Sequence, residues 1–448
     1  MSALQSKSVV IVGGSLTGLF HRLYLKRHGV DVTILEKDPR SIRSSYQAGI
    51  AFGPAVEELL AKYDDTGLQS WIPAVGTRFS WRKRQDVAKL GIIRHETSWT
   101  LLYNILRANF DGMASETVPS PPPARDNDGN AQYLCGQKVI ELIIGDKETT
   151  RSVKLGYISC AEEQKKAASQ NVLEVDYIEA DLVIAADGLH STMRRLLNPP
   201  GRPTSEYAGY VAWRGTVPEN QVSTPTAEYI TNARGISRYC IPPDSGSFTS
   251  GTRLINWVWY CNVQDKSEEM NEPLTSKDGH IHGNTLPSGL VRPEVWDKYL
   301  AAALAQVTEP FAELLAKTKN PFVINVNDIL CEKASFYDGR VLLAGDALAT
   351  FRPHFAIATE KAARAALQLG KVWEGKKTLE EWEKEVLSYE KTGFLGSRVL
   401  GAWGCRGWWE FGCEAGKLAG FLAGLKLAGV RRAFWERLER YSPSWYPC

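Results

Sequence analysis

The sequence predicts an α/β fold in which a parallel-sheet domain is interrupted by a mainly antiparallel β-sheet domain and followed by a helical C-terminus. Three observations predict it. A strand–helix–strand pattern opens the chain, with a glycine-rich turn after its first strand. Two more short apolar runs, Leu182–Ala186 and Arg340–Ala344, read as buried parallel strands and end in Asp187-Gly188 and Gly345-Asp346. Between them, residues 207–264 alternate aromatic and polar positions, the pattern of half-buried antiparallel strands.

The elements follow in order. Val9-Val10-Ile11-Val12 is an apolar run bounded by Gly13-Gly14. From Ser15 to His28, Leu16, Leu19, Phe20, Leu23 and Leu25 make one helical face, and Val30–Leu35 is a second strand ending at Glu36. Pro119–Asn130 is rich in proline, aspartate and asparagine and predicts an exposed loop; Glu162–Asn171 predicts a polar surface turn. Helical sequence dominates from Thr359 onward. Because the nucleotide-type strands are separated in sequence, the first domain is expected to be discontinuous. It takes residues 1–75, 100–200 and 325–395, the β-sheet domain takes 76–99 and 201–324, and a C-terminal helical region takes 396–448.

Composition narrows the functional class. The 448 residues carry 53 Lys plus Arg against 51 Asp plus Glu, a net charge of +2, so nothing favours nucleic acid as a partner. The longest stretch free of Asp, Glu, Lys and Arg is Ser8–His21, too short for the roughly 18 apolar residues of a membrane span. The start, MSALQSK, has no basic region leading into an apolar run, and the eight cysteines form no CxxC pair or Cys/His cluster. A cytoplasmic protein with reduced thiols and no metal site is the expectation.

Chemistry is carried by three motifs. Gly13-Gly14-Ser15-Leu16-Thr17-Gly18 keeps the first and third glycines of G-x-G-x-x-G and places Ser15 at the second. Such glycines let the backbone turn tightly and approach a pyrophosphate at a helix N-terminus. Glu36, eighteen residues after Gly18, is placed to accept hydrogen bonds from an adenosine ribose. The second motif is Ala186-Asp187-Gly188 with Leu189 to Arg194, and the third is Gly345-Asp346-Ala347 followed by Arg352-Pro353-His354. Each has a plainer reading: a turn aspartate for Asp187, a helix cap for Asp346, a solvated helix end for Arg107, a hydrogen-bonding wall for His354.

In this order the motifs resemble the group A flavin-dependent monooxygenases, the p-hydroxybenzoate hydroxylase-like family, and within it the 2,6-dihydroxypyridine 3-hydroxylase-like enzymes. The second resemblance rests on Gln47-Ala48-Gly49-Ile50, Ser98-Trp99, Leu102-Tyr103, Tyr207 to Gly215, Asn256-Trp257-Val258-Trp259-Tyr260, and Thr359 with Lys361-Ala362. It implies a Rossmann-type FAD-binding domain with an inserted substrate domain, FAD lying between them. It also implies reduction by NAD(P)H, a flavin C4a-hydroperoxide formed with O2, and transfer of one oxygen atom to an electron-rich aromatic or heteroaromatic small molecule. Epoxidation of an indole or alkene in natural-product biosynthesis, and a non-redox FAD-bound cyclase, are the alternatives. The resemblance assigns Gly13, Ser15, Gly18, Glu36, Arg107, Asp187, Gly188, Gly345 and Asp346 to the cofactor. Pro353 falls beside the isoalloxazine and His354 on the substrate as a base. Tyr210, Trp213, Trp257 and Trp259 would line the substrate chamber, the sheet core being their plainer use. The sequence departs from the commoner family pattern where Leu348-Ala349-Thr350 and Ala356-Ile357-Ala358 stand in place of a histidine and a G-x-G turn.

The tail adds one pattern. Gly412, Gly416, Gly420 and Gly424 recur every four residues, a small-residue stripe that predicts close helix packing within the protomer or across a homodimer. Glu414, Lys417 and Lys426 interrupt it and argue against a transmembrane span; Trp408, Trp409 and Trp435 leave contact with a membrane interface as an alternative.

Overall fold

The computed structural model describes residues 8–43, 48–81, 84–145, 152–161, 163, 174–201, 203–232 and 240–427. Gln47 and Trp435 lie outside these residues. The opening unit forms as its pattern requires: β1 (Ser8–Val12), α1 (Leu16–Lys26) and β2 (Asp31–Glu36). Next come β3 (Gly49–Phe52), α2 (Pro54–Tyr63), β4 (Ile72–Trp81), β5 (Arg84–Ser98) and α3 (Trp99–Asp111). The chain then runs through β6 (Ala131–Cys135), β7 (Gln137–Ile144), β8 (Val153–Ser159), β9 (Asp176–Ala180), β10 (Leu182–Ala185) and α4 (Thr192–Leu197). The inserted part contains β11 (Glu206–Pro218), β12 (Cys240–Ile241), β13 (Leu254–Asn262), β14 (Thr285–Leu286), α5 (Pro293–Leu304), α6 (Glu309–Lys317) and β15 (Phe322–Leu330). The chain returns through β16 (Ser335–Phe336), β17 (Val341–Leu343) and β18 (Ala349–Thr350) to α7 (Ala358–Trp373), α8 (Leu379–Gly401) and α9 (Trp408–Leu427).

The first sheet has the order β16-β17-β10-β1-β2-β6. The pairs from β17 to β6 are parallel and only β16 is antiparallel. Strands more than 150 residues apart in sequence thus lie side by side, with β1 central and apolar from Val9 to Val12. The second sheet, β12-β13-β11-β15-β14, is antiparallel. β15 pairs with β11 from Phe322 to Asp328, a few residues past the expected boundary at 324, and its last two residues pair with β18. One face of this second sheet packs on α5 and α6 through a core that includes Val211, Trp213, Trp257, Trp296 and Leu315.

The tail departs from expectation. At Gly412, Gly416, Gly420 and Gly424 the space where a Cβ would point is open, with no atom within 4 Å. Among the described residues, the stripe is therefore not a packing face. Instead α9 meets α8 through its other side, where Glu414 pairs with Arg398 at 3.3 Å and Lys391 lies 5.1 Å from the Phe421 ring. Close glycine packing occurs on α8. A Cβ at Gly393 would lie 2.5 Å from the Phe351 ring, at Gly396 2.8 Å from Phe355, and at Gly401 2.5 Å from the Tyr210 hydroxyl. No helix among the described residues is long and apolar enough to cross a membrane. Because an exposed interior glycine costs a helix about 1 kcal/mol relative to alanine, Gly416→Ala and Gly420→Ala are each expected to raise stability by up to that amount. Thermal unfolding checks this, and a lower Tm in either would mean the face is covered.

Candidate active site

The glycine turn is built by close approach. Gly13 has φ +101°, and a Cβ there would collide with the Ala186 carbonyl of the neighbouring strand end. A Cβ at Gly18 would collide with the Gly13 carbonyl. Ser15 caps α1 without a side-chain hydrogen bond, and the first turn of α1 contains no acid. The first-turn N–H groups are thus left for an anion such as a pyrophosphate. Glu36 is buried at the end of β2; its carboxylate accepts from the Gly14 N–H at 2.7 Å and the Asp38 N–H at 2.8 Å. It therefore links the turn to the adjoining loop. Tyr133 of β6 completes the turn by donating to the Gly14 carbonyl at 2.9 Å.

Arg107 is not a solvated helix end. It is 4% exposed, donates to Asp111 and, at 2.6 Å, to the Tyr103 hydroxyl, and its guanidinium lies 3.6 Å from the Tyr133 ring centre. A second cation, Arg43, stands 3.4 Å from Glu36 and the same distance from Asp38. Nothing in the local sequence marks Arg43, because only the fold brings it back to the end of β2.

The other two motifs diverge. Gly345, at φ +59°, seats against Thr17 of α1, which sets the third motif beside the first. Asp346 leaves 43% of its side chain exposed and pairs with Lys361 at 3.0 Å. Asp187 turns inward: it accepts from the Ser191 hydroxyl at 2.5 Å and the Met193 N–H at 3.0 Å, capping α4. Burial pushes its carboxyl up. The turn-aspartate reading therefore accounts for Asp187, with Gly188 (φ +79°) supplying the backbone bend. Arg194 joins the two motifs, donating to the Ala347 carbonyl at 2.9 Å and to Leu189.

Beyond Asp346, Pro353 is exposed and His354 is buried behind it. The ring of His354 meets Tyr210 and Tyr260, with centroids 5.6 and 4.5 Å away. His354 Nε2 and the Tyr210 hydroxyl share a hydrogen bond of 2.7 Å. Burial, together with nearby Arg352, lowers the His354 pKa to about 3, so the ring is neutral at physiological pH. Arg352 in turn donates to fully buried Asp328 at 2.7 Å.

Strand alternation decides which aromatics join this cluster. On β13, Asn256, Val258 and Tyr260 share one face and Trp257 and Trp259 the other. The partner of Tyr260 across the sheet is Ala212 on β11, so Tyr210 and Ala212 belong with Tyr260, and Trp213 with the tryptophans. Trp213, Trp257 and Trp259 pack on the α5–α6 side, where the Trp257 indole N–H donates to Thr318 at 2.8 Å. Of the four expected chamber residues, only Tyr210 lies on the face that meets His354. Tyr260 is the aromatic that sequence reading missed, because only the register that sets Ala212 opposite it places it on this face. The same face holds β3: Arg214 donates to the Gly49 carbonyl at 2.9 Å, and the Gly49 N–H donates to Asn256 at 3.3 Å. Beyond Gly401 the turn into α9 adds Cys405 to the Tyr210–Tyr260 cluster.

Ala356, at the departure from the commoner glycine pattern, has φ +49°, a left-handed conformation that favours glycine.

A family model described as an FAD binding domain matches residues 6–78, and one described as FAD binding domain-like matches residues 207–328. The protein is an FAD-dependent monooxygenase of the aromatic hydroxylase type, and its fold resembles the group A flavin monooxygenases. Its cofactor is FAD, which these residues fit. The chain is 26% identical to the 2,6-dihydroxypyridine 3-monooxygenase of Paenarthrobacter nicotinovorans, over 85% of this chain and 87% of the relative. It is 27% identical to the 3-amino-4-hydroxybenzoate 2-monooxygenase of Streptomyces cremeus, over 48% and 47% of the two chains. Among solved structures it shares its fold with 2,6-dihydroxypyridine-3-hydroxylase from Arthrobacter nicotinovorans, at a TM-score of 0.70 and 23% identity over 90% of this chain and 94% of that one.

Proposed function

We propose that the protein hydroxylates an electron-rich aromatic or heteroaromatic small molecule, using NAD(P)H and O2. The observation that carries this reading is the cluster of side chains behind Pro353. An exposed Pro353 lies next to a neutral His354, and a sheet face bearing Tyr210, Ala212, Val258 and Tyr260 stands opposite. Bound FAD supplies the oxygen-activating chemistry; the protein's part is to hold the ring, exclude water and manage one proton. Glu36 and the first turn of α1 would hold the adenosine diphosphate end, and Asp346 the hydroxyls nearer the flavin ring. Similarity to relatives named for dihydroxypyridine and aminohydroxybenzoate substrates supports a ring bearing a hydroxyl.

His354 would act at that hydroxyl. As a neutral imidazole it can accept a hydrogen bond from that hydroxyl, while a pKa lowered to about 3 makes it a weaker base than the sequence led one to expect; Tyr210, hydrogen-bonded to Nε2, fixes its orientation. His354→Ala is expected to keep FAD yet lose about 10²-fold in hydroxylation rate, with more NAD(P)H oxidised per product formed. Because its folded pKa lies well below 6.5, the wild-type rate should show no inflection near pH 6.5 from this histidine. Such an inflection that disappears in His354→Ala would mean the ring titrates in its ordinary range.

The test of the function is NAD(P)H oxidation in oxygen-18 gas with hydroxylated pyridines and benzoates, products being read by mass spectrometry. One labelled atom on the ring is expected. Failure of either nicotinamide to reduce the flavin would overturn the proposal, and label in an epoxide-derived product would replace hydroxylation by epoxidation.

A further inference from the structure

Behind the exposed edge of Asp346 lies a buried ionic cluster that the reading above does not use. Lys361 of α7 has 1% of its side chain exposed. Its ammonium sits 3.0 Å from Asp346 Oδ1 and 3.6 Å from Glu390 Oε2, donates to the Ala349 carbonyl, and lies 4.4 Å from the Phe351 ring. Glu390 comes from α8 and its side chain is 2% exposed. Its Oε2 has no hydrogen-bond partner. Glu390 reaches this position because α8 carries Gly393 one turn on, where the Phe351 ring occupies the space of a Cβ.

One buried cation therefore serves two carboxylates. With both ionised, two carboxylates share that ammonium, and for an acid held away from water this costs free energy unless it takes a proton. Glu390 is the more enclosed, and burial pushes its carboxyl up to about 7. The charged and titratable groups facing it are Lys361 and Arg364 from α7 and Asp346 from the Gly-Asp turn. Glu385 and Tyr389 of its own helix, with Arg364 and Gln368, border a small cleft against Lys361 and Glu390.

We propose that Lys361 is a positioning residue that aims the Asp346 carboxylate at the flavin, and that protonation of Glu390 governs how completely Lys361 is committed to Asp346, making FAD affinity fall as pH rises through neutrality. The proposal rests on the reading of Asp346 as a cofactor ligand. When Glu390 is neutral, Lys361 has one anionic partner and Asp346 is held. When Glu390 is ionised, it competes for the ammonium and adds negative charge behind a cofactor that itself carries a diphosphate. Reciprocally, bound FAD raises the proton affinity of Glu390, so binding takes up a proton over this range.

The experiment titrates apo-protein with FAD by flavin fluorescence from pH 5.5 to 8.5, in the wild type and in Glu390→Gln, Lys361→Met and Asp346→Asn. Wild-type Kd should rise about three- to tenfold from pH 6 to 8. Glu390→Gln, uncharged at every pH, should bind at the wild-type low-pH level with a flat profile. Lys361→Met should bind at least tenfold more weakly without the slope, while Lys361→Arg recovers part of the affinity. If Lys361→Met does not fold, the Glu390→Gln profile decides. A slope retained in Glu390→Gln overturns the proposal. So does an unchanged Kd in Lys361→Met when Asp346→Asn binds weakly. An unchanged Kd in Asp346→Asn overturns the ligand reading and the proposal with it.

Discussion

Glu36→Arg is expected to give colourless protein. The carboxylate of Glu36 accepts two backbone N–H groups, one from the glycine turn and one from the loop after β2, in a buried position. Replacing it with arginine leaves both donors unpaired, removes the carboxylate proposed to meet the ribose and sets a second cation beside Arg43. Two charge-assisted hydrogen bonds lost at about 1.5–3 kcal/mol each correspond to a fall in FAD affinity of at least about 100-fold. The ratio of flavin to protein absorbance after purification reads this directly. A yellow, stoichiometric variant would remove the cofactor from this end of the sheet.

The second large effect is expected far from any motif, at Gly401→Leu. Its new side chain would start 2.5 Å from the Tyr210 hydroxyl and 2.9 Å from His354 Nε2, where no space exists. Overpacking of this kind typically costs about 1–3 kcal/mol of stability. The larger consequence is catalytic: a displacement of about 1 Å in a positioning pair can cost about 10²-fold in rate. FAD content should stay normal, since the glycine turn and Glu36 stand on other elements, while the hydroxylation rate drops and peroxide rises. Gly404→Ala serves as the comparison, because the space for its Cβ is open among the described residues and the variant should behave as wild type. Equal rates in all three proteins would place the chemistry away from Tyr210 and His354.

The sequence made legible what depends on neighbours along the chain. The apolar runs at β1, β10 and β17, the turns that end them, and the alternation of the inserted sheet are all local patterns, and each formed within a residue or two of its expected bounds. What stayed hidden depends on which surface each element turns toward another. Trp213 and Tyr210 are three residues apart and so face opposite sides of β11; treating both as chamber residues ignored the pleat. Glycines every four residues on α9 looked like a packing seam, yet α9 turns that side outward. The glycines that do accommodate neighbours, at 393, 396 and 401, lie at less regular spacing and are recognised only through Phe351, Phe355 and Tyr210. Arg107, Arg43 and Lys361 likewise take their meaning from partners far along the chain or on other elements.

The position of α8 bears on synthesis of the protein in the cell. Asp346 and the Arg352–His354 segment are translated well before α8, but their backing, from Glu390 to Gly401, is not. Until about fifty further residues have left the ribosome, a nascent chain holding the whole parallel sheet still lacks the wall behind its flavin edge. Cofactor loading is thereby tied to completion of α8, and ribosome-bound chains stalled before residue 390 should retain much less FAD than chains released beyond residue 406.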